Sequence, residues 1–274
     1  MNKIRKCLFP VAGYGTRFLP ATKAIPKEMF PIGSKPLIQY AVEEALSCDI
    51  FDMVMITNKY KNSIKEHFEQ NHKIERSLMG EKAKLLEEIN KIIDSSEFYY
   101  IEQKEMLGLG HAISCGDNVI QDEPFAVILP DDLCHYVGES VLNQMNRIYQ
   151  KYPDCCVVAI EEVPLKEVDK YGVIDGNLIP NSTNTYLIES MVEKPSSSEA
   201  PSNLAIIGRY ILTPDIFEIL KTVVPDKNGE IQITDALMTL AKKGKVIGYK
   251  FKGKRFDCGT PNGFITAINE LSQI

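Results

Sequence analysis

Two adjacent acids, Asp131 and Asp132, close an almost purely apolar run, Phe125–Leu129. Carboxylates at the end of a buried strand are suited to Mg2+, a hard ion that prefers oxygen ligands and phosphate partners. A helix N-cap or an Asx turn would use the same pair. Asp257, between Phe256 and Cys258-Gly259, is a second acid of this kind. Near the N-terminus, Gly13-Tyr14-Gly15-Thr16-Arg17 is followed by Lys27. Glycines let backbone N–H groups approach a phosphate, a guanidinium can fork onto two of its oxygens, and an ammonium adds a mobile point charge. Glu193-Lys194-Pro195 ends another apolar run. There an acid can bond sugar hydroxyls while the lysine neutralises a sugar phosphate, although a surface ion pair would read the same way. Together these residue types suit the handling of phosphorylated small molecules. The chain has four histidines and no evident Ser-His-Asp or Cys-His set, and His111 reads as structural.

Other chemistries are disfavoured. Phe18 stands where a dinucleotide fingerprint needs its third glycine, and Pro20 prevents a following helix. No Gly-x4-Gly-Lys-Ser/Thr segment is present. The seven cysteines are scattered, without a Cys-x-x-Cys, and read as buried thiols. Net charge is −6, against nonspecific binding to nucleic acid or acidic membranes. Residues 1–36 nevertheless carry seven cations and one acid, Glu28, a local cationic patch fit for a small polyanion. No stretch approaches the roughly 18 apolar residues of a membrane span, and the basic start lacks a signal-peptide core. A cytoplasmic protein is expected.

The elements that must position these residues follow from the apolar pattern. Strands are predicted at 4–11, 53–57, 98–102 and 125–129, alternating with helices that open at Pro36 and Gly108 and with helices over about 60–70 and 74–94. Residues 13–35 hold three prolines and form a long ordered loop. This alternation implies right-handed βαβ units and a parallel sheet, with ligands gathered at the carboxyl ends of the strands. Loops after Val11, Gln103 and Leu129 should therefore converge. The second half predicts strands at 155–163, 171–174, 186–192, 205–212, 246–251 and 255–258. Residues 175–177 read as a turn, and helices are expected at 214–221, 232–243 and 262–271. The expected fold is α/β: a mixed, mostly parallel central sheet, flanked by helices, with a smaller sugar-side lobe. A single domain spans 1–274, with a nucleotide-binding half (1–139) and a sugar-binding and oligomerisation half (140–274).

The segments PVAGYGTRFLPATKAIPKEMFPI (10–32), KPLIQYAVEEA (35–45), EQKEMLGLGHAI (102–113), LPDD (129–132), YGVI (171–174), VEKP (192–195), GEIQITDAL (229–237) and FDCGTP (256–261) occur in this order. In them the chain resembles the sugar-1-phosphate nucleotidylyltransferases, most specifically their bacterial uridylyltransferase branch. The resemblance implies a Rossmann-like nucleotidyltransferase fold. It also implies Mg2+-dependent transfer of a uridylyl group from UTP to glucose 1-phosphate, giving UDP-glucose and pyrophosphate. Ala12, Gly13, Gly15, Glu28, Gln103 and Gly108 would hold the nucleotide, and Arg17 and Lys27 its triphosphate. Asp131 with Asp257 would hold Mg2+. Asp132, Gly172 and Glu193 would meet the glucose, and Lys194 the phosphate of glucose 1-phosphate. Members of the family imply a homodimer or homotetramer. The same chemistry on dTTP, a catalytically silent regulatory relative and an NAD-binding protein are the rival readings.

Overall fold

Successive residues of the first strand, β1 (Lys6–Pro10), part to opposite sides of a sheet: Cys7 and Phe9 enter one apolar core and Leu8 the other. The computed structural model, which describes residues 3–78 and 81–271, repeats this division in β4 (Asp52–Thr57) and β6 (Phe125–Ile128). Both faces are covered, hence the unbroken apolar runs. On one face lie α1 (Leu37–Leu46) and α8 (Val141–Lys151), joined by Ile64 of α2 (Asn62–His67). On the other lie α6 (Gly108–Ser114), α7 (Asp117–Ile120), α9 (Asp215–Leu220) and α10 (Ile233–Ala241).

The sheet has nine strands. Adding β5 (Glu97–Glu102), β8 (Cys156–Glu162), β9 (Gly172–Leu178), β10 (Thr185–Glu193), β11 (Leu204–Leu212) and β12 (Val246–Lys250), the order is β5-β4-β1-β6-β11-β8-β12-β10-β9. β5, β4, β1 and β6 are mutually parallel, so their carboxyl ends share one edge. Beyond them, among the described residues, only β8 and β12 pair in parallel. β11 enters antiparallel between β6 and β8, and β10 is antiparallel to both β12 and β9. The sheet is therefore mixed, and residues beyond 140 continue it instead of building a separate one.

Three local expectations change. The stretch 74–94 is three helices, α3 (His72–Ser77), α4 (Glu81–Lys84) and α5 (Glu87–Ser95), with 79–80 outside the described residues. Residues 175–177 are not a turn but part of β9, and the β9–β10 connection comes after Leu178. Gly176 packs flat on its neighbour, where a Cβ would come within 2.4 Å of the Leu187 carbonyl oxygen. Strand β7 (Asp132–His135) and helix α8 had no counterpart in the sequence reading.

β7 pairs antiparallel with β13 (Lys254–Asp257), setting Asp132 opposite Asp257. A small core of Ile32, Leu37, Leu133, Phe256, Cys258 and Ala267 joins this pair to α11 (Pro261–Leu271) and to the hairpin β2 (Pro31–Ile32) and β3 (Lys35–Pro36). The N-terminal loop is thus packed against the acids' own strands.

Beneath the turn after β6, Arg209 and Glu44 form an ion pair in which each residue is at most 3% exposed. Arg209 donates through Nε and Nη2 to Glu44 Oε2 at 3.0 and 2.9 Å, and through Nη1 to the carbonyls of Leu129 and Gly208 at 3.2 and 3.0 Å. Glu44 Oε1 accepts the Leu142 N–H at the start of α8 (2.9 Å). Removing one partner of such a pair leaves an uncompensated buried charge. Glu44→Ala should lower the unfolding free energy by about 3–5 kcal/mol in urea denaturation. A loss below about 1 kcal/mol would show that water reaches Arg209.

Candidate active site

Three of the loops that leave the parallel edge, those after β1, β5 and β6, build one cleft. After β1 the chain runs through three 3-10 turns, Thr16–Phe18, Ala21–Lys23 and Lys27–Met29. Prolines preclude a helix here, and short turns let the loop double back. Gly15 takes φ +64°, a left-handed conformation, and a Cβ on it would crowd Thr22 at 3.1 Å. Gly15 thus shapes the loop that leads to Lys27. The rings of Phe18, Phe30 and Phe264 meet at centroid distances of 5.1, 5.7 and 6.1 Å, fixing the Arg17 backbone against α11.

Arg17, Asp131 and Asp257 meet over Gly259. A Cβ there would lie 2.9 Å from Asp131 Oδ2, 3.0 Å from Asp257 Oδ1 and 3.5 Å from Arg17 Nη1. The missing side chain keeps this space open. Two carboxylates make an incomplete ligand set, and among the described residues no group of three or more acids, histidines or cysteines forms a metal cage. That donor set fits Mg2+, which typically takes one or two carboxylates and completes its shell with water and substrate phosphates.

Lys27 Nζ donates to Asp131 Oδ2 at 2.5 Å. Burial alone would raise the Asp131 pKa, but Lys27 and Arg17 outweigh it and hold the carboxyl below its ordinary value. Burial likewise works against the charge of Lys27, and Asp131 with Glu28 overcomes it, so the ammonium titrates above its usual range. At Asp257, burial and then the charges of Asp132 and Asp131 push the carboxyl up, against the pull of Arg255. The site therefore has a place where another cation would relieve repulsion.

A cavity of about 430 Å³ opens beside this cluster, lined by Arg17, Asp131, Asp132 and Asp257 on one side and by Gly172, Glu193 and Lys194 on the other. Thr234 Oγ1 donates to Glu193 Oε2 at 2.6 Å, and the absent Cβ of Gly172 makes room for that carboxylate. Lys194 has φ +46°, a left-handed conformation for a side-chain-bearing residue, held by its N–H on the Tyr171 carbonyl (2.9 Å). Such strain costs of order 1–3 kcal/mol and is characteristic of functional sites. A second space of about 210 Å³ adjoins, lined by Ala12, Gly13, Gln103 and Gly108 among others. Gly108 has φ +89°, and its carbonyl accepts from Gln103 Nε2, which also bonds His111 Nδ1.

Two residues are engaged otherwise than expected. Glu28 lines neither cavity. It is 2% exposed and accepts a 2.7 Å bond from Lys61 Nζ, because a buried carboxylate requires a counterion. Asp132 does line the larger cavity, but both its oxygens are engaged, Oδ1 by Arg255 Nη1 and Oδ2 by the Gly208 N–H, each at 2.8 Å. A sugar hydroxyl would have to compete with both. Sequence reasoning missed Arg255, which also bonds Glu161 and the Tyr171 hydroxyl and stacks 4.9 Å from the Tyr171 ring. It also missed Arg209, and neither arginine lies in a motif that distinguishes it from a surface cation.

A family model described as nucleotidyl transferase matches residues 10–274. A UTP–glucose-1-phosphate uridylyltransferase of Pseudomonas aeruginosa strain PAO1 is 55% identical over 268 residues, 97% of this chain and 95% of the relative. Among solved structures, an apo UDP-glucose pyrophosphorylase superposes with a TM-score of 0.94 at 56% identity, over 98% of each chain. A UDP-glucose pyrophosphorylase complexed with UDP-glucose gives 0.91 at 55% identity, over 98% of this chain and 99% of the other.

The paired charges make a pH prediction. The depressed Asp131 pKa contributes stability that is present above the unfolded value, about 4, and lost as pH falls through the folded one. Lys27→Met removes the offsetting cation, so Asp131 should titrate at higher pH and acid unfolding should begin earlier. Carboxyl-carbon NMR together with acid unfolding curves reads both. An unmoved Asp131 titration would mean that Lys27 does not control it.

Proposed function

The chain belongs to the nucleotidyl transferase family, and from that premise we infer that it transfers the uridylyl group of UTP to glucose 1-phosphate, releasing pyrophosphate and forming UDP-glucose. The observation that carries this reading is the meeting of Arg17, Asp131 and Asp257 over Gly259, in the wall of one pocket that a second pocket adjoins through Leu109 and Glu230. The smaller pocket suits a base and the larger a sugar phosphate. The names of the relatives supply uridine and glucose. In this reading residues 1–139 serve the nucleotide and residues 140–274 the sugar and self-association, in a homodimer or homotetramer. No helix among the described residues is long and apolar enough to cross a membrane, and we place the enzyme in the cytoplasm.

The nucleophile is a phosphate oxygen of glucose 1-phosphate, whose second pKa near 6 leaves it mostly ionised at neutral pH. No general base is required. The obstacle is charge: at about 4 Å and an effective dielectric near 20, each pair of like unit charges costs roughly 4 kcal/mol. Arg17 forks onto the triphosphate. Lys27, paired with Asp131 in the free protein, exchanges that carboxylate for phosphate and so releases Asp131 Oδ2. Asp131 and Asp257 would hold Mg2+, which supplies charge neutralisation across the phosphates. Lys194 meets the glucose 1-phosphate dianion, and Glu193 with the Gly172 backbone orients the hexose. Positioning and electrostatics then drive in-line displacement at the α-phosphorus.

Pyrophosphate release should be fastest with UTP in a panel of UTP, dTTP, ATP, GTP and CTP plus glucose 1-phosphate. It should vanish in excess EDTA and return with Mg2+. A preference for dTTP, or turnover without a divalent ion, would overturn the corresponding part. Lys194→Ala should raise KM for glucose 1-phosphate roughly 10-fold or more, the loss of a charge-assisted contact, while KM for UTP changes less than about threefold. Equal effects on both substrates would remove Lys194 from the sugar phosphate.

A further inference from the structure

The two pockets share two lining residues, Leu109 and Glu230. In a nucleoside triphosphate the ribose joins the base to the phosphates, so a side chain that borders both spaces faces it. Leu109 is apolar and can cover one face of the ring. Glu230 is the charged member of the shared wall. Its Oε2 accepts from Gln232 Nε2 at 3.0 Å, while Oε1 takes no protein donor among the described residues.

The position of Glu230 is built. The next residue, Ile231, donates its N–H to the Leu107 carbonyl at 2.7 Å and accepts the Gly110 N–H at 2.9 Å, stitching this loop to the start of α6. From the other side, the Glu230 N–H donates to Asp226 Oδ1 at 3.0 Å, and its carbonyl accepts the Asp226 N–H at 2.9 Å. Gly108 permits the approach, because a Cβ there would stand 2.9 Å from the Cβ of Glu230. A carboxylate fixed in this way needs no reordering to bond a hydroxyl.

We propose that Glu230 accepts a hydrogen bond from the ribose hydroxyls and so selects ribonucleotides over their deoxy counterparts. The proposal rests on the uridylyl-transfer reading. A site built to bond a hydroxyl rejects an analogue lacking it, because its own polar group is then left unpaired. The element that supplies this contact comes from the sugar half of the chain, so nucleotide choice does not belong to residues 1–139 alone.

The test compares kcat/KM for UTP and for 2′,3′-dideoxy-UTP, each with saturating glucose 1-phosphate, in the native enzyme and in Glu230→Ala. The native enzyme should prefer UTP. Glu230→Ala should lose about 10-fold or more on UTP, the effect of removing a charge-assisted hydrogen bond, and less than about threefold on the dideoxy nucleotide. Glu230→Gln keeps the side-chain volume and an acceptor for Gln232. It should show the same asymmetry, guarding against collapse of the loop in the alanine variant. Equal losses on the two nucleotides, or no loss on UTP, would overturn the proposal, since a merely structural role lowers both alike. If the native enzyme released no pyrophosphate from UTP, the uridylyl reading would fail and the proposal with it.

Discussion

Charge is alternated through the cleft wall as Lys61, Glu28, Lys27 and Asp131, and the ends of this chain differ in kind. Lys61 and Glu28 are sealed at 6% and 2% exposure, whereas Asp131 lines the cavity and the Lys27 side chain bonded to it is 19% exposed. Burial lowers the Lys61 pKa and Glu28 only partly offsets it, so the inner pair is kept together by mutual need. The outer pair is held by the same attraction but is open to exchange. A phosphate can replace Asp131 on Lys27, and a dication can replace Lys27 on Asp131. An ion pair that can be traded for substrate charge at small net cost suits a reaction whose barrier is repulsion between phosphates.

That exchange works only if the partners stay within a few ångströms, and the fold has three separate means of ensuring it. The small core around Ile32, Leu133 and Phe256 binds the N-terminal loop to the acid-bearing strands. Arg209 with Glu44 holds the carbonyls of Leu129 and Gly208 from below. Arg255 ties Asp132 to Glu161 and Tyr171, and the Tyr171 carbonyl in turn holds the left-handed backbone of Lys194. The acid cluster and the Glu193–Lys194 wall of the cavity are thereby linked through one buried guanidinium. Its planar fork serves three partners at once, which a lysine could not do.

Much of the nucleotide half was legible from periodicity, because strands buried on both faces are long apolar runs and their punctuation by Gly, Pro and Asp is local. The antiparallel insertion of β11 was not. Ala205–Leu212 reads the same whichever way its neighbours run, since strand direction is set by connections and pairing partners far away in sequence. Residues 175–177 misled for a similar reason. Asp-Gly-Asn favours a turn locally, but at Gly176 the missing Cβ lets the Leu187 carbonyl oxygen of the neighbouring strand approach. The break in 74–94 also goes against its apolar spacing, with too few buried contacts to hold one long helix.

By itself the sequence determined which chemistry was available: a glycine-poised cationic loop, acids closing an apolar strand, and no evident Ser-His-Asp or Cys-His set. These are properties of residue types and short spacings, which the covalent chain carries with it. Only the tertiary structure decided which charges meet. It put Asp257, 126 positions from Asp131, on the same opening over Gly259, set Glu28 outside both pockets to neutralise Lys61, occupied both oxygens of Asp132, and brought Glu230 to the seam between the pockets. Electrostatic partnership depends on distance and burial, and both are set by long-range packing that no local pattern encodes.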